Sequence, residues 1–179
     1  MRGPTRTALV LLALAAAPAL GEPSADHVVV RGDGVAFGVR PPPAWRADRG
    51  HASRFGAHVL FYQNRHALKG NATLILVRLN RNATSDPGAE LQRDMEDYRK
   101  RFAEVAFRDL EVSHPEYRCV AKEFTVEKLF HEYVTYVSPG ARRPERFAAA
   151  LDTEAAASPA ELEAYRAVIG SLVLLSAEP

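Results

Sequence analysis

Arg118 to Val137, with the sequence RCVAKEFTVEKLFHEYVTYV, is the stretch that decides the fold. It holds two runs rich in β-branched and aromatic residues, Arg118 to Val126 and Leu129 to Val137, and this composition is typical of strands. Only Glu127 and Lys128 lie between the two runs, and so short a connection predicts a β-hairpin. The centre of the chain is therefore predicted to form antiparallel sheet.

The residues on either side of this hairpin extend the sheet. Near the amino terminus, His27 to Arg31 and Val35 to Arg40 read as a second hairpin around Gly32-Asp33-Gly34, because Gly and Asp tolerate a positive φ. The prolines at 41–43 end its second strand, and Trp45 is expected to fold back over the edge of the core. Further strands are predicted at Gly56 to Gln63, Ala72 to Leu79, Phe107 to Val112 and Arg146 to Leu151, with a polar loop over Arg46 to Phe55.

Two helices are predicted from their caps and their apolar stripes. Asp86-Pro87 opens the first, and its apolar stripe consists of Leu91, Met95, Tyr98 and Phe102. Its charged residues, Glu90, Arg93 and Asp94 among them, are interpreted as a solvated face. Ser158-Pro159-Ala-Glu161 is a capping signature for the second helix, whose apolar side is expected to extend to Leu172 and Val173. The prediction is a single α+β domain, a largely antiparallel sheet with helices packed on its faces.

The first 21 residues predict export. Arg2 and Arg6 form a positive start, Ala8 to Ala17 is apolar, and Ala19-Leu20-Gly21 supplies the small residues that a signal peptidase requires. The apolar run is too short to span a bilayer, which takes about 20 residues. We expect a signal peptide at 1–21 cleaved after Gly21 (or, as an alternative, after Ala25), a short leader at 22–27, the domain at 28–174 and a tail at 175–179. The predicted location is the periplasm or the cell exterior, most simply a bacterial envelope.

Charge argues against two classes of partner. The chain has 23 basic and 22 acidic residues, and without Arg2 and Arg6 the numbers are 21 and 22, a net charge of −1. A nearly neutral domain lacks the basic surface that nucleic acid or an anionic membrane attracts. The mature chain also contains no segment long and apolar enough to be a transmembrane helix.

The sequence contains no recognisable catalytic or cofactor motif, so no catalytic and no cofactor-binding residue is predicted. No serine stands in a G-x-S-x-G elbow, and Gly32-Asp33-Gly34 is too short for a dinucleotide fingerprint. Cys119 is the single cysteine, interpreted as a small buried residue of a strand, with pairing to another chain as the alternative.

Histidines, aromatic residues and a basic run leave binding open. His51, His58 and His66 are spaced by seven and eight positions, which is unlike the tight pairs of zinc sites, yet folding can bring them together on a metal. The aromatic residues are interpreted as core rather than as a ligand pocket: Trp45, Phe61, Tyr62, Phe124, Tyr133 and Tyr136. Arg142, Arg143 and Arg146 are interpreted as a solvated loop patch.

The order of elements resembles the PsbP-like superfamily, named for the extrinsic P subunit of photosystem II. The resemblance is carried by Gly34-Val-Ala-Phe-Gly-Val39 followed by Pro41 to Trp45, by the helix from Asp86 to Phe102, and by Tyr165-Arg-Ala-Val-Ile-Gly-Ser171. Together these landmarks cover about residues 28–174. The resemblance implies an antiparallel sheet with helices on its faces and no shared enzymatic activity, since understood members mostly act as accessory or binding subunits.

These observations predict an exported, non-enzymatic accessory or binding protein that acts through contacts with another envelope or secreted protein. The alternative is a periplasmic domain that binds a small ligand or a metal. No cofactor and no nucleic-acid partner is predicted.

Overall fold

The computed structural model describes residues 26–32, 34–63, 73–83, 86–140 and 143–175, and these residues form an α+β fold. Their strands are β1 Val28–Gly32, β2 Val35–Val39, β3 Arg46–Asp48, β4 Val59–Tyr62, β5 Leu74–Asn80, β6 Ala106–Asp109, β7 Arg118–Val126, β8 Phe130–Ser138, β9 Arg146–Thr153 and β10 Val173–Leu174. Their helices are the 3-10 helix η1 Ala52–Phe55 and the α-helices α1 Pro87–Arg101 and α2 Pro159–Gly170. The predicted signal peptide lies outside the described residues.

The larger sheet has seven strands in the order β3-β4-β5-β9-β8-β7-β6, and every neighbouring pair is antiparallel. The predicted central hairpin is confirmed, with Arg118 opposite Ser138 and Val126 opposite Phe130. Lys128, in its turn, has a φ of 63°. The first hairpin is confirmed as well, and β1, β2 and β10 form a separate sheet of three strands rather than an extension of the large one.

Alternation along β8 gives the large sheet two different faces. Tyr133 and Val137 pack with α2 and the small sheet in the main core, on what we call the α2 face. Val134 and Tyr136 point the other way, toward Leu91 of α1, on what we call the α1 face. The molecule therefore has a core on each side of one sheet.

Helix α1 begins where the sequence predicts. The side chain of Asp86 accepts hydrogen bonds from the backbone N–H groups of Gly88 and Ala89, at 2.9 and 3.4 Å. Its apolar stripe packs on β7 and β8, with Leu91 buried against Phe124 and Val134. The helix lies over that end of the sheet, while η1 packs on β4 and β5 at the opposite end of the same face.

Helix α2 has the predicted capping box, in which Ser158 and Glu161 satisfy each other's backbone N–H groups. Tyr165 belongs to this helix and is fully buried on the side that faces the sheet. Its hydroxyl donates to the carbonyl oxygen of Ala149 at 2.9 Å and lies 2.8 Å from the hydroxyl of Thr135. Trp45 is 7% exposed and belongs to the same core, as expected from the proline break before it.

The structure corrects two local expectations. The segment predicted as a polar loop contains β3 and η1; a polar strand is tolerated at an edge because its outer side faces water. The second helix ends at Gly170, and Val173 belongs to β10, where it pairs with Gly38 instead of continuing the helix. Leu175 continues this attachment by donating its N–H to the carbonyl of Ala36 at 3.0 Å. In the part of the chain that the structure describes, no helix is long and apolar enough to cross a membrane.

Candidate functional site

A cleft opens on the α1 face between α1 and η1, because neither helix covers β9. Its volume is about 220 Å³. The floor is made of small and apolar side chains: Leu76, Val134, Ala148 and Ala150. Both alanines are only partly buried, since their short side chains leave the space above β9 empty. Phe55, which is 40% exposed, lines the cleft from η1.

The first polar group of the cleft is a carboxyl group on β8. Glu132 accepts a hydrogen bond from the hydroxyl of Tyr98 on α1, one turn beyond Asp94. Burial raises the pKa of Glu132, the hydrogen bond from Tyr98 opposes that rise, and the charges of Asp152 and Asp94 add to it. Burial, followed by the charge of Glu132, raises the pKa of Tyr98, so the tyrosine stays a neutral donor.

A second tyrosine–carboxylate pair lies beside the first. The hydroxyl of Tyr136 donates to Asp94 Oδ2 at 2.5 Å. Burial and the Asp94 carboxylate raise the pKa of Tyr136, whereas the nearby guanidinium of Arg78 lowers it. Tyr136 comes from β8 and Asp94 from α1, so this pair ties the helix to the sheet in the lining of the cleft.

A third carboxyl group flanks Glu132 on the neighbouring strand. Asp152 of β9 is directly opposite Glu132 in the antiparallel register, and side chains of opposed residues lie on the same face. Asp152 keeps contact with solvent, yet surrounding atoms displace enough water to raise the pKa of its carboxyl group. Burial disfavours the ionised form of both carboxyl groups, so a cation bound beside them would offset the cost of their charge.

The lining of the cleft offers charge and hydrogen bonds rather than a nucleophile. Its polar members are Arg78, Asp94, Tyr98, Glu132 and Tyr136, and no serine, cysteine or histidine is among the described residues that line it. Perturbed carboxyl groups in a concave site are a common signature of function. This arrangement is suited to holding a small polar molecule.

The three histidines considered for a metal do not share a described site. His51 Nδ1 lies 2.8 Å from Asp48 Oδ2, at the start of η1. His58 Nδ1 accepts the backbone N–H of Leu79 at 3.0 Å, which uses a ring nitrogen inside the fold. His66 lies outside the described residues. Among the residues that are described, no group of three or more His, Cys, Asp or Glu side chains is placed to hold a metal ion.

Cys119 lies on β7 and is partly buried. Burial raises the pKa of its thiol to about 11, so little thiolate is present at neutral pH. The reading of Cys119 as a small strand residue agrees with this position.

The aromatic residues interpreted as core are buried in the structure: Trp45, Phe61, Tyr62, Phe124, Tyr133 and Tyr136. Tyr136 is buried in the core and also lines the cleft, so this residue has both of the roles that the sequence treats as alternatives. The basic run is not a solvated patch as a whole, because Arg146 is 7% exposed and begins β9. Arg142 lies outside the described residues.

The charged side of α1 is also not simply solvated. Glu90 is buried and Asp94 accepts the hydroxyl of Tyr136, which corrects the interpretation of both residues. Sequence reasoning missed Glu132 as well. A signal existed: Glu132, Val134 and Tyr136 alternate on one side of β8, so Glu132 is an acid on an otherwise apolar strand face.

No protein-family model matches this chain, and no curated protein matches it either. The class of protein that the fold and the cleft define is an α+β domain with a cleft on one face of its large sheet.

Proposed function

We propose that this chain is an exported, non-enzymatic binding protein that holds a small organic amine in the cleft between α1 and η1. Of the functions expected from the sequence, the geometry supports the ligand-binding alternative best. The observation that carries the proposal is Glu132, an acid placed on an apolar sheet face inside the cleft, with Tyr98 as its hydrogen-bond donor. The resemblance to the PsbP-like superfamily is consistent with a binding role.

Glu132 has hydrogen-bond acceptor sites that Tyr98 does not use. An ionised carboxylate offers about four acceptor sites, and the hydroxyl of Tyr98 occupies one of them. An ammonium group has three N–H donors and no acceptor, so it matches the sites that remain. Binding a cation here would also offset the cost of keeping Glu132 charged where burial disfavours its charge.

The charges around the cleft favour a cation over an anion at this end. Glu132 and Asp94 line the cleft with Arg78, and Asp152 adds a further acid beside Glu132. The floor of Leu76, Val134 and alanines accepts the hydrocarbon part of a ligand. The ligand class is therefore an amine with a short apolar body.

The test is a calorimetric titration of the mature protein at pH 8 with butylamine, and with butanol as its uncharged counterpart. Butylamine should bind and butanol should not. Glu132→Gln should weaken amine binding at least tenfold, because it removes the charge and keeps the shape. Ala150→Leu, which fills the floor of the cleft, should abolish binding, while Ala106→Leu on the exposed edge strand β6 serves as its control.

The proposal is refuted if butylamine and butanol behave alike, or if Glu132→Gln and Ala150→Leu bind the amine as the natural chain does. Binding should also weaken as the pH falls and Glu132 takes up a proton, because its raised pKa brings neutralisation to a higher pH than its ordinary value of 4.5. Export is tested separately, by the amino-terminal residue of the secreted protein, which should be Glu22.

A further inference from the structure

A second recess adjoins the cleft and has the opposite charge. It has a volume of about 130 Å³ and shares Arg78, Asp94, Tyr136 and Ala148 with the cleft. Its further lining includes Arg93 of α1 and Arg146 of β9. The two spaces thus lie side by side along β9, the cleft acidic near Glu132 and the recess rich in arginine. We call the second space the arginine recess.

Arg146 is the unusual member of the arginine recess. It is a charged residue that is only 7% exposed. Its Nη1 donates to the carbonyl oxygens of Arg143 and Glu145, each at 2.8 Å. Its Nε is buried and has no hydrogen-bond partner among the described residues. A buried donor without an acceptor is costly, and in native proteins it commonly marks a place for a ligand or an ordered water.

The charge balance of the arginine recess is positive. Three guanidinium groups, from Arg78, Arg93 and Arg146, stand against the carboxylates of Glu90 and Asp94. Asp94 already accepts the hydroxyl of Tyr136. Guanidinium groups bind carboxylates with paired, directional hydrogen bonds, so an anion of that shape suits the recess.

We propose that the arginine recess binds a carboxylate at the far end of the same ligand that places its amine beside Glu132. This inference rests on the proposed function and deepens it, since it makes the ligand an extended zwitterion. The distance between the two ends of the ligand can be bracketed from β8 and α1, the two elements that supply the polar side chains. The Tyr98–Glu132 pair marks the amine end, and the Tyr136–Asp94 pair, which lines the arginine recess with Arg78, marks the near side of the carboxylate end. Glu132 and Tyr136 are four residues apart on β8, about 14 Å between Cα atoms, whereas Asp94 and Tyr98 are four residues apart on α1, about 6 Å along its axis.

A tripeptide has the right dimensions for these two anchors. Three extended residues span about 10 Å, which lies within the bracket. Tri-alanine is therefore the probe, because its small side chains suit a floor of alanines. The peptide with an amidated carboxyl terminus has no carboxylate for the arginine recess. The N-acetyl peptide has no ammonium group for Glu132, so each derivative removes one proposed contact.

The experiment measures the dissociation constants of the three peptides for the mature protein by calorimetry at pH 7. Tri-alanine should bind at least tenfold more tightly than its amide. Arg78→Met should reduce that ratio to about one while the amide still binds, and Arg108→Met, an exposed arginine of β6 outside the recess, should leave the ratio unchanged. Arg78 is chosen because it is exposed, so its replacement does not empty a buried position as replacing Arg146 does.

Each outcome separates this inference from the proposed function. If tri-alanine and its amide bind equally well, the arginine recess does not bind a carboxylate, and the amine site stands. If the N-acetyl peptide binds as well as tri-alanine while the amide binds more weakly, the arginine recess binds a carboxylate and the amine site near Glu132 is refuted. If Arg78→Met leaves the ratio at tenfold, the anion is held elsewhere and the inference is overturned.

Discussion

Replacement of Tyr98 by Phe should destabilise the protein by an amount that depends on pH. Tyr98 donates to Glu132, and a hydrogen bond to a charged group contributes about 1.5–3 kcal/mol, compared with about 1 kcal/mol between neutral groups. The loss should therefore be about 1 kcal/mol at pH 4, where the raised pKa keeps Glu132 protonated, and should approach about 2 kcal/mol as the pH rises through that pKa and the carboxylate forms. For a domain of this size, 2 kcal/mol corresponds to a fall of about 4–8 °C in Tm.

Replacement of Glu132 by Gln should act in the opposite direction. Because burial raises the pKa of Glu132, its contribution to stability is complete below pH 4.5 and is lost as the pH rises through the folded-state pKa. Glu132→Gln removes that loss and keeps an oxygen that accepts from Tyr98. The variant should equal the natural chain at pH 4 and exceed it in stability at pH 8.

The assay is urea unfolding at the two pH values, followed by the fluorescence of Trp45, which is the single, buried tryptophan. In the Glu132→Gln background, Tyr98→Phe should cost the same at pH 4 and pH 8, which makes the double variant the control. Two results refute the reasoning: an equal cost of Tyr98→Phe at both pH values in the natural chain, or a Glu132→Gln variant that is less stable than the natural chain at pH 8.

Two further predictions concern polar groups outside the cleft, the half-buried His114 and the fully buried Tyr165. His114 Nδ1 accepts backbone N–H groups of Glu116 and Tyr117 at 3.0 Å, and burial lowers the pKa of His114, so its contribution to stability should be present above pH 6.5 and lost as the pH falls through the folded-state pKa. His114→Asn retains an acceptor but does not titrate, so the unfolding free energy of the variant should depend less on pH between pH 7 and 5. An unchanged pH dependence would contradict this. Tyr165→Phe should cost about 1–3 kcal/mol in urea unfolding, because it leaves buried polar partners on Ala149 and Thr135 unsatisfied; a cost below measurement error would show that they re-pair.

Sequence predicted those parts of the fold that depend on local pattern. The β7–β8 hairpin follows from two apolar runs and a short turn, and the starts of α1 and α2 follow from Asp86 and Ser158. Sequence does not predict β3 and β10, because pairing with another strand, rather than their own residues, makes them strands. Arg46 is polar and pairs with Tyr62 of β4, whereas Val173 is apolar on a helical stripe and pairs with Gly38, near the other end of the chain.

The site was harder to predict, because a charged residue has no fixed environment until its neighbours are placed. Asp94 lies on the charged side of α1, which is solvated if the helix stands alone and enclosed if the sheet extends beneath it. The sequence groups Arg146 with the basic residues of a loop, whereas its pairing with Asn80 on β5 places it inside the protein. Both depend on contacts between elements that are far apart in sequence.

The cleft exists because of an imbalance between the width of the sheet and its cover. Seven strands make a face wider than α1, and η1 covers only β4 and β5, so β9 is left between them. Larger apolar residues at positions 148 and 150 would close that gap and add about 0.8 kcal/mol for each buried methylene group. Alanines stand there instead, and Glu132 beside them keeps a carboxyl group where burial disfavours its charge. The small alanines and the buried carboxyl group each make the fold less stable, and such losses are characteristic of sites that bind a ligand. A ligand that fills the space above the alanines and neutralises Glu132 would recover both losses at once, which is the physical reason for assigning function to this face of the sheet.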